Sequence, residues 1–183
     1  LTDKGRMQAR AAAGSYVLSR LAPIAPLVIC SAAGRCVETA TIALGEGEAV
    51  EGGRSAFKLV RSETLYDGTM QPDGSAAFAK LGYAPLAEYR AESATVRALL
   101  DRYADDALDE ISSIASTELP PAITGAGRRP TLCVFGHAIY LPSIALLLAQ
   151  RRGIGDTAAV LETNTAECAG YLVTEGAVEL LAT

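Results

Sequence analysis

Two residues of this 183-residue chain stand where an α/β protein presents its chemistry. The run LVIC, Leu27 to Cys30, is continuous and apolar, as expected of a parallel strand buried on both faces. The small-residue turn Ser31 to Gly34 then delivers Arg35. The run TLCVF, Thr131 to Phe135, has the same character and leads into Gly136 and His137. In open α/β sheets, ligands bind beyond the carboxyl ends of the strands, where loops enter helices. The Arg35 guanidinium is a rigid fork of donors matched to phosphate oxygens. His137 begins a helix expected from about Ala138, whose first N–H groups and positive dipole end attract anions. Arg35, His137 and Ala138 converging on one sheet edge would make a phosphate pocket. Plainer duties suit the same residues: a surface ion pair for the arginine, a hydrogen-bonded turn for the histidine.

These positions require strands and helices to alternate. A helix is expected over Lys4 to Leu21, where Met7, Ala11, Gly14, Val17, Leu18 and Leu21 share a face at three- and four-residue steps. Pro23 and Pro26 end it. A second helix should run from about Arg35 to Leu44, and a further strand over Phe57 to Val60. Gly45 to Gly53 reads as a Gly/Glu loop, and Glu63 to Asp73 as a turn-rich segment. Short helices are expected at Ser75 to Leu81 and Leu86 to Tyr89. A longer one is marked by the stripe Val96, Leu99, Leu100, Tyr103, Ala107, Ile111 and Ile114. Glu118 to Pro130, with three prolines and two glycines, should be a loop. The helix from Ala138 to Gln150 ends on Arg151 and Arg152, cations that suit its dipole. Closing strands are expected within Glu167 to Leu181, around Gly176. The alternation predicts one α/β domain over residues 1–183.

Composition narrows the function classes. Half of the residues are hydrophobic, 20% are charged and 5% are aromatic, which excludes a disordered tail or a disulfide-dense miniprotein. The 34 alanines predict a core of small side chains and closely approaching helices rather than aromatic layers. With 16 Lys and Arg scattered among 21 acids, the chain lacks the clustered basic footprint of a nucleic-acid binder. No apolar run nears the roughly 18 to 20 residues that cross a bilayer. The expectation is therefore a soluble protein. Cys30, Cys36, Cys133 and Cys168 form no C-x-x-C pair, and His137 is the single histidine, so no metal site is expected. Four reduced thiols and a reducing compartment follow, either cytoplasm or an organelle interior. The chain opens on Leu1 rather than Met, which predicts a removed leader or a cut from something longer.

The segment CSAAGRCVETA, Cys30 to Ala40, resembles the strand-turn-helix of the histidine phosphatase superfamily, the phosphoglycerate-mutase-like fold. There a serine near the strand end precedes an arginine and then Glu-Thr-Ala, here Ser31, Arg35, Glu38, Thr39 and Ala40. LTDKGRMQA, Leu1 to Ala9, is similar to that family's first helix start, and CVFGHAIYLPSIALLL, Cys133 to Leu148, to its second-histidine strand and helix. The resemblance implies a three-layer α/β/α fold with a mostly parallel central sheet. It also implies that Arg35 holds a phosphoryl group and that His137 stabilises its charge in the transition state. Glu63 takes the approximate position of the acid/base carboxylate, although Ser62-Glu63-Thr64-Leu65 departs from the mutase pattern. Glu38 and Thr39 are expected to fix the helix against the sheet.

The family's reaction also needs a first histidine, in an Arg-His-Gly motif on a strand beside the second-histidine strand. No Arg-His-Gly occurs in this sequence. Two expectations follow. Either an upstream strand completes a metal- and cofactor-independent phosphate-monoester hydrolase, less readily a mutase, or the chain is a pseudoenzyme serving as a structural or interaction subunit. The ligand is a small phosphorylated molecule or phosphate. In the second case a partner, another protein or another copy of the chain, or a rearrangement covers the gap. No G-x-S-x-G, G-x-x-x-x-G-K or H-E-x-x-H motif offers a rival chemistry. Basic residues in the expected specificity loops, Gly45 to Gly53 and Glu63 to Arg97, are sparse, which favours a simple monoester over a polyphosphate.

Overall fold

The computed structural model describes residues 1–14, 27–44, 57–67, 71–119, 131–164 and 167–181. These residues form a mixed α/β structure with eight helices, a three-stranded parallel sheet and a two-stranded antiparallel one. Contacts divide the chain into two compact units, Leu1–Glu63 with Glu110–Phe135, and Thr64–Asp109 with Gly136–Ala182.

In the first unit, helix α1 (Asp3–Ala13) starts where the Thr2 hydroxyl accepts the Gly5 N–H at 3.1 Å. It buries Ala9 and Ala12, and Gly14 returns its N–H to the Arg10 and Ala11 carbonyls. The rest of the helix expected to reach Leu21 lies outside the described residues. Strand β1 (Leu27–Ser31) is buried at all five positions. It is the centre of the sheet, between β2 (Lys58–Ser62) and β3 (Leu132–Phe135), and parallel to both. Helix α2 (Gly34–Leu44) connects β1 to its neighbour β2 and packs Val37, Ala40 and Leu44 against Val28, Cys30, Leu59, Cys133 and Phe135. Burying Leu27 and Ile29 completely contributes roughly 1.5–3 kcal/mol each.

Strand β2 runs two residues further than its apolar run predicts. Its end is set by pairing: Ser62 lies beside Ser31, and the Ala32 N–H reaches the Ser62 carbonyl at 3.0 Å. The buried Ser62 hydroxyl is satisfied by donating to Glu110 Oε2 at 2.5 Å. Lys58 pairs with Glu118.

The second unit holds most of the remaining helices. The turn-rich segment after Glu63 contains one helical turn, α3 (Thr64–Asp67). Helix α4 (Pro72–Leu81) starts on a proline, whose missing N–H costs nothing there. Helix α5 (Leu86–Glu92) follows, then the long α6 (Ala94–Glu118), which passes into the first unit from Glu110. Helix α7 (Tyr140–Arg151) begins two residues later than expected. Its hydrogen bonding nonetheless starts at His137, whose carbonyl accepts the N–H groups of Tyr140 and Leu141. A one-turn helix, α8 (Ala158–Leu161), precedes the hairpin β4 (Gly170–Val173) and β5 (Val178–Leu181).

The core is rich in small side chains, as composition leads one to expect, with Ala9, Ala12, Ala40, Ala104 and Ala107 all buried, and three tyrosines add to it. Tyr89, Tyr103 and Tyr140 are all buried, and the Tyr103 and Tyr140 rings meet edge to face at 4.6 Å. The Tyr89 hydroxyl donates to the Gly82 carbonyl and that of Tyr103 to the Leu65 carbonyl at 3.3 Å, whereas Tyr140 Oη has no partner among the described residues. Gly74 makes room for that hydroxyl, since a Cβ at this position would collide with it. Arg151 pairs with Asp105 and lies 3.6 Å from Asp109, and Arg152 donates to the carbonyls of Val173 and Thr174 at 3.0 and 2.8 Å. These cations therefore bind α7 to α6 and to the hairpin, beyond any service to the helix dipole. Among the described residues, no helix is long and apolar enough to cross a membrane.

Candidate functional site

Arg35 and Glu63 belong to the first unit, at the carboxyl ends of adjacent parallel strands. Arg35 is the second residue of α2, and its side chain is exposed. The turn before it is braced by Ser31, whose Oγ accepts the Ala33 N–H at 3.4 Å. Glu63 is exposed and directly follows β2. Glu38, expected to fix its helix to the sheet, instead accepts Arg6 Nε at 2.6 Å and so ties α2 to α1. The Leu1 amino group first, then the Arg6 guanidinium, hold the Glu38 carboxyl below its usual range. Thr39 returns its hydroxyl to the Arg35 carbonyl at 2.8 Å, within its own helix.

His137 and Ala138 belong to the second unit, between the end of β3 and α7. The imidazole is half-buried beside Tyr66, with ring centroids 6.4 Å apart and planes tilted by 49°. Among the described residues the Ala138 N–H makes no hydrogen bond, while the His137 carbonyl accepts from Tyr140 and Leu141. A helix N-terminus with an available donor is suited to an anion.

No protein-family model, curated protein or solved structure matches the chain. Its chemistry is read from its own side chains.

None of the cysteines near Arg35 is suited to nucleophilic attack. All four cysteines are free thiols. Burial pushes Cys30 up to about 12, with Cys36 and Cys133 adding to the shift, and pushes Cys133 up to about 11. Burial also raises Cys36, against the opposing pull of Arg35 and a hydrogen bond with Ser31. A thiol held neutral is neither a good nucleophile nor a good metal ligand. Among the described residues, no group of three His, Cys, Asp or Glu side chains could hold a metal ion.

Two features escaped the sequence reading. Tyr66 beside His137 comes from the one-turn α3, which carries no periodic signal. The pairing of Ser62 with Glu110 joins residues 48 positions apart, and neither stands in a motif.

Proposed function

We propose that this chain carries the phosphoryl-binding part of a histidine-phosphatase-type site in a three-layer α/β/α fold, and that the natural protein hydrolyses phosphate monoesters. In this reading Arg35 grips the phosphoryl oxygens, while His137 and the Ala138 N–H stabilise the charge that develops on them. Glu63 protonates the leaving alcohol. The imidazole nucleophile comes from an Arg-His-Gly strand outside these 183 residues, which contain one histidine.

The observation that carries the reading is the sheet register. Cys30 on β1 lies beside Phe135 on β3, so the two strands end within one residue of each other; Arg35 follows the end of β1 by four residues and His137 follows the end of β3 by two. The state of β3 supports the proposal further. It pairs with β1 on one side, and no strand of the described residues pairs with the other. Its residues, Leu132 to Phe135, suit a strand inside a sheet, yet all four are only half-buried. An added strand carrying the nucleophile would pair there.

The single histidine favours a second reading, a catalytically silent subunit whose β3 edge, unpaired among the described residues, pairs with a partner. Intact mass and turnover of the natural protein separate the two. A mass well above 19.0 kDa with p-nitrophenyl phosphate turnover supports the hydrolase, and a silent protein near 19.0 kDa supports the subunit. For the hydrolase, Arg35→Ala and His137→Ala should each lower kcat by on the order of 10²–10³-fold. The 183 residues by themselves should not turn over. Turnover by them that His137→Ala abolishes would overturn the mechanism.

A further inference from the structure

A circuit of contacts closes around His137, and every member of it belongs to the second unit. It starts at α3, which is four residues long and too short to be held by its own hydrogen bonds. Tertiary contacts place it instead. The Leu65 side chain is fully buried, and the Leu65 carbonyl accepts the hydroxyl of Tyr103, on α6, at 3.3 Å. The next residue, Tyr66, sets its ring beside the imidazole of His137. The circuit returns through α7. The His137 carbonyl accepts the Tyr140 N–H at 3.2 Å, and the Tyr140 ring meets that of Tyr103 at 4.6 Å and 60°. Gly74 keeps Tyr140 in that place, since a Cβ there would collide with its hydroxyl.

Tyr103 thus touches both arms that hold His137. One arm is backbone, through Tyr140; the other is a ring, through Leu65 and Tyr66. Tyr103 is itself buried, so it acts through these neighbours rather than on a ligand. Tyr66 acts more directly. An imidazole turns about two side-chain torsions, and a second ring within aromatic-pair distance restricts both. A group ordered beforehand loses less freedom when a ligand binds it.

We infer that Tyr103 and Tyr66 are positioning residues for His137. Tyr103 ties α3 to α7, and Tyr66 then fixes the imidazole in the orientation that meets the anion. This inference rests on the phosphoryl-binding reading above and adds to it the residues that preorganise its imidazole.

Proton NMR titration of the 183-residue chain with methylphosphonate at fixed pH tests it. His137 is the single histidine, so its Cε1–H resonance reports binding at this imidazole alone. Tyr66→Leu removes the ring, and Tyr103→Phe keeps its ring on Tyr140 but loses the bond to Leu65. Each should weaken methylphosphonate by roughly three- to tenfold. Tyr66→Phe should bind as the unaltered chain does. Val160→Ala opens a fully buried site on α8 of the same unit, and should lower the urea midpoint without changing the affinity. Unchanged affinity in Tyr66→Leu or Tyr103→Phe, or an equal loss in Val160→Ala, would overturn the inference and leave phosphoryl binding standing. If the unaltered chain binds no methylphosphonate, the phosphoryl reading fails and this inference fails with it.

Discussion

Strands β1 and β3 are made of nearly the same material, LVICS against LCVF, and they run parallel and side by side in one sheet. Every residue of β1 is buried, and every residue of β3 is only half-buried. The difference is one of neighbours. β1 has a strand on each side, whereas among the described residues β3 has one on a single side. Apolar content therefore reports the environment a strand is suited to, and pairing decides the environment it receives. A half-exposed apolar edge is a liability that proteins usually blunt with charge or proline, and β3 carries neither.

The largest effect that would test this contrast is on stability. Ile29→Ala in β1 should cost about 2–5 kcal/mol, the range for emptying a closed core site. Val134→Ala in β3 should cost less than about 2 kcal/mol, because the half-buried site already faces solvent. Urea denaturation midpoints measure both, and equal costs would break the contrast. A second effect is on reactivity. In the native protein at pH 8, maleimide should reach Cys133 on the half-buried β3 well before Cys30 on β1, as peptide mapping would show. Prior labelling of Cys30 would mean that β1 is the more accessible strand.

The smallest expected effect is a shallow pH dependence. Burial raises the folded-state values of Cys30 and Cys133 to about 12 and about 11, while an unfolded thiol loses its proton near about 8.5. Above that pH the unfolded chain binds fewer protons than the folded one, so stability is complete below it and declines as pH rises. Cys30→Ala should flatten the decline measured by thermal melts between pH 8 and 10. An unchanged slope would remove the buried thiol from the account.

The parts of the fold legible in the sequence are those that a local pattern specifies. β1 and β3 are short apolar runs bounded by small residues, α6 carries a long 3.6-residue stripe, and the hairpin turns about Gly176. Arg35 and His137 were legible as the residues following strand ends, because the turns that deliver them are short. Features that depend on distant segments were not. Tyr103 and Tyr140 come from two helices and meet by packing, a contact that no local pattern announces. Helix α8 is four residues long, started by Asp156 accepting the Ala158 N–H at 3.2 Å, and is too short to show a period. Glu38 looked like a sheet-facing residue of its motif, and only the position of α1 turned it towards Arg6.

A double-mutant cycle on phosphoryl binding asks most directly whether the guanidinium and the imidazole hold one anion. Methylphosphonate affinity would be measured for the unaltered chain, Arg35→Ala, His137→Ala and the pair together. Each single change should weaken binding by on the order of tenfold or more, and the double change by clearly less than the product, as for two groups sharing one ligand. Losses that multiply, or no loss from either change, would contradict a shared site.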